Sequence, residues 1–170
     1  MKMVQIAGLV CAVMTSALAS TSASAYPVQT ARPEYVEPRV YSVAEAIRGA
    51  ARAGQSGLPG QFSFVVKGGG QDGQRVYLNS DLDYRHRGTL TVALSAPAAA
   101  RLAEQLGGSP ETALIGRTIV VSGVARRTRI NWLHDGEPTG DYYFQTHISV
   151  GRDDQIHVVP GPPAPVTVTR

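Results

Sequence analysis

The residues best suited to bind a ligand are polar side chains that recur at every second position along three strand-like stretches. Successive side chains of a strand point to opposite faces, so each set leaves its own strand on one side. Arginine, tyrosine, asparagine and glutamine can stack on sugars, bases or peptides and hydrogen-bond to them. The alternative is a sheet face that is only solvated. The predicted ligand-binding residues are Arg75, Tyr77, Asn79, Arg127, Arg129, Tyr143, Gln145 and His147.

Two of these strands are also predicted to bring their polar residues into one patch. If they pair as a hairpin, Trp132 faces Tyr142. In that register Arg129 faces Gln145, with Tyr143 diagonal to it. Such a patch would hold an anionic or planar ligand through charge-assisted hydrogen bonds and stacking.

The sequence contains no strong catalytic or metal-binding motif. G-x-S-x-G and S-x-x-K are absent, and the four histidines form no H-x-H or H-x-x-x-H pair. The polar stretch 79–87 lacks the ligand spacing of a calcium loop, so we expect a turn in which Asp81 and Asp83 bond to backbone N–H groups. The glycine-rich stretch 68–74 precedes a strand rather than a helix, which indicates a flexible hairpin loop rather than a phosphate cradle. We therefore predict a non-catalytic protein that uses no cofactor or metal.

Composition and charge exclude further classes of function. The chain has 170 residues and a formal net charge of +3, which is too small to indicate nucleic-acid binding by bulk charge. Cys11 is the single cysteine and lies in the predicted leader, so the rest of the chain has no thiol for a disulfide, a nucleophile or a metal site.

The first 25 residues have the features of a bacterial signal peptide. Lys2 supplies the positive charge, an apolar stretch follows over 4–18, and Ala23-Ser24-Ala25 matches the A-x-A cleavage pattern. The apolar stretch is shorter than the ~20 residues that span a bilayer. We expect cleavage after Ala25, release into the periplasm or the medium, and no stable membrane insertion afterwards.

The remaining chain divides into three segments. Residues 26–40 contain scattered prolines without apolar periodicity and are predicted to be a flexible leader. Residues 41–159 are predicted to form one domain without internal repeats. Residues 160–170 form a Pro-rich tail that favours extended polyproline geometry.

Apolar periodicity predicts the elements of that domain. Ser42 and Glu45 form a capping box before a helix, and Pro97 begins a second helix. Period-two alternation marks short strands near 62–66, 75–79 and 89–94, and a longer strand over 117–132 with a bulge at Gly123. After a loop at 133–141, the last long strand covers 142–150, and Trp132 is expected in the core.

The predicted fold is mainly β: a five-stranded OB-like barrel with one helix preceding it and one helix between strands 3 and 4. A small β-sandwich is the alternative. Three phrases carry a family resemblance, namely Val76-Tyr77-Leu78-Asn79-Ser80 with Asp83-Tyr84-Arg85, then the Gly-anchored stretch 114–123, and Gln155-Ile156. Together with the element order they make residues 60–159 resemble small exported bacterial OB-fold proteins, which are largely uncharacterised. The resemblance implies a fold and a binding habit, and no reaction.

The function expected from these observations is that of an exported, non-catalytic OB-fold binding module for an oligosaccharide, a polyanion or a protein partner in the bacterial envelope. An envelope scaffold or assembly protein that acts through its flexible ends is the alternative. A hydrolase or nuclease is the weakest alternative, because no acidic cluster accompanies the arginines as a nuclease metal site requires.

Overall fold

A computed structural model describes residues 39–165, which form a mainly β, barrel-like fold with three helices. The strands are β1 (Val40–Tyr41), β2 (Leu58–Val65), β3 (Gly68–Gln71), β4 (Arg75–Asn79), β5 (Leu90–Ser95), β6 (Thr118–His134), β7 (Glu137–Val150) and β8 (Ile156–Val158). The helices are α1 (Val43–Ala53), α2 (Ala96–Leu106) and α3 (Pro110–Ala113). None of the helices in this part of the chain has the length and apolarity needed to span a membrane. The predicted signal peptide 1–25, most of the predicted leader 26–40 and residues 166–170 of the tail lie outside the described residues.

One curled sheet contains all eight strands, in the order β1-β2-β6-β7-β5-β4-β3, with β8 paired to β6. The β5–β7 pair is parallel, whereas β2–β6, β6–β7 and β4–β5 are antiparallel. Between β2 and β3, Val66 donates to the Arg117 carbonyl and Lys67 donates to the Asn79 carbonyl. The chain thus passes directly from a strand near one end of the sheet order to the strand at the other end. This passage gives the sheet its barrel-like form.

The core lies inside the curled sheet and consists of the apolar faces that alternation predicted. Phe62, Phe64 and Val66 are buried, as are Leu78 and the apolar side chains of β5. Helix α1 closes one side with Ala46 and Ala50, and α2 contributes Ala98, Ala99 and Leu102. Burial of apolar surface is the main favourable term in folding, so these faces account for the pairing of distant strands.

Capping residues set the start of α1, as the sequence predicts, and the end of α2. The Ser42 hydroxyl accepts the Glu45 N–H at 3.4 Å, and the Glu45 carboxylate accepts the Ser42 N–H at 3.0 Å. The bond from the Ser42 N–H and a second bond to the carboxylate from the Ser42 hydroxyl, at 2.8 Å, lower the pKa of Glu45 to about 2, with a smaller effect of Arg39. Helix α2 ends at Gly107, whose φ of 69° is the left-handed conformation that glycine adopts readily.

The structure differs from the predicted five strands and two helices. Residues 68–71, predicted as a loop, form β3, which pairs with β4 along its whole length. This strand shows no apolar periodicity, because its glycines carry no side chains that could alternate between the two faces. Helix α3 was not predicted, since four residues are too few to display a helical period.

Gly69 is required where α3 lies against β3. A Cβ on Gly69 would meet the backbone of Glu111, with the Glu111 Cα only 2.9 Å away. We expect Gly69→Ala to lower the free energy of unfolding by about 1–3 kcal/mol, because β3 and α3 must move apart. Gly70→Ala is the matched control, since nothing lies within 4 Å of a Cβ there. Urea unfolding of both variants measures the difference in stability. Equal stabilities would show that α3 does not pack closely enough against β3 to exclude a Cβ at residue 69.

The long β6–β7 hairpin also departs from the prediction. The register of β6 with β2 is continuous through Gly123, which pairs with Gly60, so the predicted bulge at Gly123 is wrong. Gly123 instead permits close packing, because a Cβ there would lie 2.8 Å from the Ile148 Cγ2. The irregularity lies between Asn131 and Leu133. The predicted loop 133–141 is replaced by a turn at Asp135 and Gly136, whose φ values of 51° and 84° are those of a tight two-residue hairpin.

Trp132 is not in the core, contrary to the prediction. Its side chain is 42% exposed, because this part of the hairpin extends past the packed layer of the barrel. The Trp132 ring packs on Tyr143, with ring centroids 5.1 Å apart.

Candidate ligand-binding site

The curled sheet carries a cavity of about 420 Å³ on the face opposite the buried apolar side chains. Five of the eight predicted site residues line it, and Thr91, Ile130 and Tyr84 join them. The five are Tyr77, Asn79, Tyr143, Gln145 and His147. The structure therefore brings together residues from β4, β5, β6 and β7, and the glycines of β3 complete the wall.

Strand register places the floor of this cavity. Asn79 pairs with Thr91, and Thr91 pairs with His147, so the three side chains lie in one row across neighbouring strands. The Thr91 hydroxyl donates to the Asn79 Oδ1 at 2.9 Å, and both residues are buried. The bond gives each of these two buried polar groups a hydrogen-bond partner, and it holds both side chains in place at the floor of the cavity.

Gln145 connects three groups around the cavity although only 4% of its surface is exposed. Its Nε2 donates to the Tyr84 carbonyl and, at 3.2 Å, to the Tyr143 hydroxyl. Its Oε1 lies 2.8 Å from the His147 Nε2. Because an amide oxygen only accepts, this bond requires His147 to carry its proton on Nε2, which leaves Nδ1 as an acceptor.

The His147 imidazole is neutral at physiological pH. Burial lowers its pKa from 6.5 to about 4, and the nearby positive charge of Arg75 adds to the effect. Arg75 itself is exposed and does not line the cavity. The cavity therefore offers His147 as an uncharged hydrogen-bonding group.

Asp72 holds the hairpin between β3 and β4 against the cavity wall. The Tyr77 hydroxyl donates to its Oδ2 at 2.7 Å, and the N–H groups of Gln74 and Arg75 donate to its Oδ1. The Tyr77 bond and these backbone bonds lower the pKa of Asp72. Burial and the Asp72 bond raise the pKa of Tyr77. A carboxylate with these partners serves mainly to fix the tyrosine ring and the turn.

Aromatic residues at the rim were not predicted. Tyr84 is 49% exposed in the segment between β4 and β5, and the Arg85 guanidinium lies over both the Tyr84 ring and the Trp132 ring, at 5.0 and 5.7 Å. The predicted turn in this segment is present, since Asp81 accepts the Asp83 N–H and Asp83 accepts the Arg85 N–H. The polar pattern thus indicated the turn, while the position of the rings depends on tertiary packing.

Arg127 and Arg129 do not line this cavity, and the predicted register, in which Arg129 faces Gln145, is wrong. Arg129 pairs with Phe144, one residue away from the expected Gln145. A shift of one residue moves every side chain to the other face of the sheet. Tyr143 instead pairs with Ile130, and Arg127 and Arg129 lie on the opposite face of the hairpin.

The chemistry available here is hydrogen bonding and stacking. The cavity combines three tyrosine rings, three amide side chains, a hydroxyl and a neutral imidazole, and Asp72 is its charged lining residue. Within residues 39–165, no cluster of three or more histidine, cysteine or acidic side chains is positioned to hold a metal ion.

Comparison with known proteins identifies no family. No family model matches the chain, and no curated protein matches it. One solved structure that it resembles is named as an aspartyl-tRNA synthetase from Leishmania major Friedlin, with a TM-score of 0.40 and 11% sequence identity. The match covers 83% of this chain and 24% of that chain.

Proposed function

We propose that this chain is an exported, non-catalytic binding module of the OB type, and that its cavity holds part of a neutral oligosaccharide from the bacterial envelope. The observation that carries the proposal is the cavity of aromatic rings, amides and a neutral imidazole on the outer face of the sheet. The identity of the fold and the class of ligand rest on separate arguments.

Strand connectivity supports the OB type. If β2 and β3 are taken as one bent strand, that strand is followed by β4, β5, the helix α2, β6 and β7. The bent strand then pairs with β4 and with β6, and β5 pairs in parallel with β7. OB barrels bind ligands across the second and third strands, between the loops that join strands 1–2 and 4–5. The cavity described above lies over β4 and β5, the corresponding strands.

The lining of the cavity supports a sugar as ligand. Aromatic rings can pack against the apolar face of a sugar ring, while hydroxyl groups need partners that donate and accept. Tyr77, Tyr84 and Tyr143 supply rings, and Gln145, Asn79 and His147 supply polar groups. The exposed Asp72 carboxylate in the wall disfavours a polyanion at this face, because like charges repel.

The rim tyrosine provides the test of ligand binding. We expect wild type to bind a neutral envelope oligosaccharide on a glycan array and in calorimetry, and Tyr84→Ala to weaken binding about tenfold, or about 1.4 kcal/mol. Tyr142→Ala is the matched control, since Tyr142 is 50% exposed, against 49% for Tyr84, and lies on the opposite face. Export is checked on the same preparation, in which the chain recovered from the periplasm or medium should begin at Tyr26.

Three results would contradict the proposal. Equal binding by the Tyr84 and Tyr142 variants would place the ligand elsewhere. Absence of binding to every neutral glycan would contradict the assignment of a sugar as the ligand. Recovery of an uncut chain in membranes would contradict the proposed export.

A further inference from the structure

The opposite face of the β6–β7 hairpin carries two arginines stacked on aromatic rings. The Arg127 guanidinium carbon lies 3.8 Å from the Phe144 ring centroid, and that of Arg129 lies 4.0 Å from the Tyr142 centroid. Such cation–π contacts hold a flexible side chain in one orientation. We refer to these four residues as the arginine ladder.

The N–H groups of both ladder arginines remain available. Both residues are exposed, and among the described residues neither forms a side-chain hydrogen bond or an ion pair. Stacking uses the flat face of a guanidinium and leaves its edge free to donate to a carboxylate in a bidentate manner. Because they are two residues apart on one strand, the arginines repeat at about 6.6–6.8 Å.

A second cavity, of about 270 Å³, lies beside the ladder. Arg127 and Phe144 line it, and Arg87 is the second positively charged residue of its lining. Helix α1 contributes Ile47 and Ala51 to its wall. The ladder therefore continues into a recess that combines positive charge with apolar surface.

We propose that the arginine ladder and this recess bind an acidic polysaccharide whose sugars carry carboxylates. The carboxylates accept hydrogen bonds from Arg127 and Arg129, and the apolar face of one sugar packs in the recess against Ile47 and Ala51. This site goes beyond the proposed function, since Arg127 and Arg129 lie on the other face of the hairpin and their binding does not require the cavity over β4 and β5 to be occupied. Tyr143 and Gln145 line both cavities.

The same observations disfavour a single-stranded nucleic acid at the ladder. Nucleic-acid platforms stack bases on open aromatic faces, whereas Arg127 and Arg129 already cover one face of the Phe144 and Tyr142 rings. The exposed carboxylates of Asp135 and Glu137 at the hairpin end would repel a dense row of phosphates. A polymer with fewer charges and an apolar ring face suits this surface better.

The test uses the whole protein with polygalacturonate, and with its methyl ester as an uncharged polymer of the same backbone. We expect wild type to bind the acid form at low salt, to bind it less as salt rises, and to bind the ester at least tenfold more weakly. Arg127→Gln with Arg129→Gln should reduce binding of the acid form at least tenfold and flatten the salt dependence. Arg48→Gln with Arg52→Gln removes the same charge from exposed positions of α1 and should leave binding nearly unchanged.

Each outcome of this test has a defined meaning. Arg127→Lys with Arg129→Lys should keep the salt dependence but bind more weakly, since lysine retains the charge and loses the planar fork. An equal loss of binding in the two glutamine double variants would show that binding depends on overall charge rather than on the arginine ladder, and it would overturn the proposal. Tighter binding of single-stranded DNA than of polygalacturonate would overturn the ligand class. Tyr84→Ala should leave polygalacturonate binding unchanged, which separates this site from the outer cavity.

Discussion

Replacing Phe62 with alanine is expected to lower the free energy of unfolding by about 3–5 kcal/mol. Phe62 has no exposed surface, stacks on Tyr41 with ring centroids 5.6 Å apart, and pairs with Val121 of β6. The substitution leaves a cavity at the junction between α1 and the β2–β6 pair, where relaxation is limited. Urea unfolding monitored by circular dichroism gives the difference.

Trp132→Ala is the comparison for this prediction. A tryptophan is larger than a phenylalanine, so size alone would predict the greater loss for Trp132. Because Trp132 is 42% exposed and contacts mainly Tyr143, we expect a loss below about 1.5 kcal/mol, the upper range for one aromatic pair. A Trp132 variant as unstable as the Phe62 variant would restore the interpretation in which Trp132 belongs to the core.

Stability should also fall as the pH is lowered from about 6.5 to about 4, because of His147. Burial lowers the pKa of His147 to about 4 in the folded chain, while the unfolded chain titrates near 6.5. Between these values the unfolded state binds one more proton, so acid favours unfolding. The stability contributed by the neutral imidazole is complete above pH 6.5 and is lost towards pH 4, with a magnitude on the order of 3 kcal/mol.

His147→Gln is the control for the pH effect. Glutamine keeps a donor for Gln145 and does not titrate, so its unfolding free energy should vary less over this window. Glu45 and Asp72 also have lowered pKa values, but their contributions are lost below their ordinary values of 4.5 and 3.8. Guanidinium unfolding at several pH values between 4.5 and 6.5 therefore isolates His147. Parallel profiles for wild type and variant would show that the imidazole titrates normally.

The predictable parts of the fold are those that local sequence determines. The capping box at Ser42 and the glycine after α2 act within a few residues, and the alternating faces of β2 and β4 follow from burial on one side. The glycine strand β3 gives no periodic signal. The Asp135-Gly136 pair is a hairpin signal that acts within two residues, and it accounts for the tight turn that takes the place of the predicted loop.

The sequence predicted only part of the candidate site, because alternation determines the face of a side chain within one strand but not its neighbours on other strands. Within β7, alternation correctly placed Tyr143, Gln145 and His147 on one face. Across strands, position depends on register. Tyr142 pairs with Asn131 and not with Trp132, so Arg129 lies one residue from its expected partner. Tyr84 reaches the cavity from a long connecting segment, whose path is set by tertiary contacts such as the bond between the Gln145 amide and the Tyr84 carbonyl.

The parallel pairing of β5 with β7 also has a consequence for the order of events in folding. It joins Thr91 to His147, and the whole of the chain that separates them must be synthesised before the pair can form. Contacts between residues so distant in sequence slow folding, because the entropy of loop closure is lost before the contact is gained. The outer cavity therefore comes into existence late, after α2, β6 and β7 have been made. Ligand binding at this cavity would then report that the whole barrel has assembled, rather than any fragment of it.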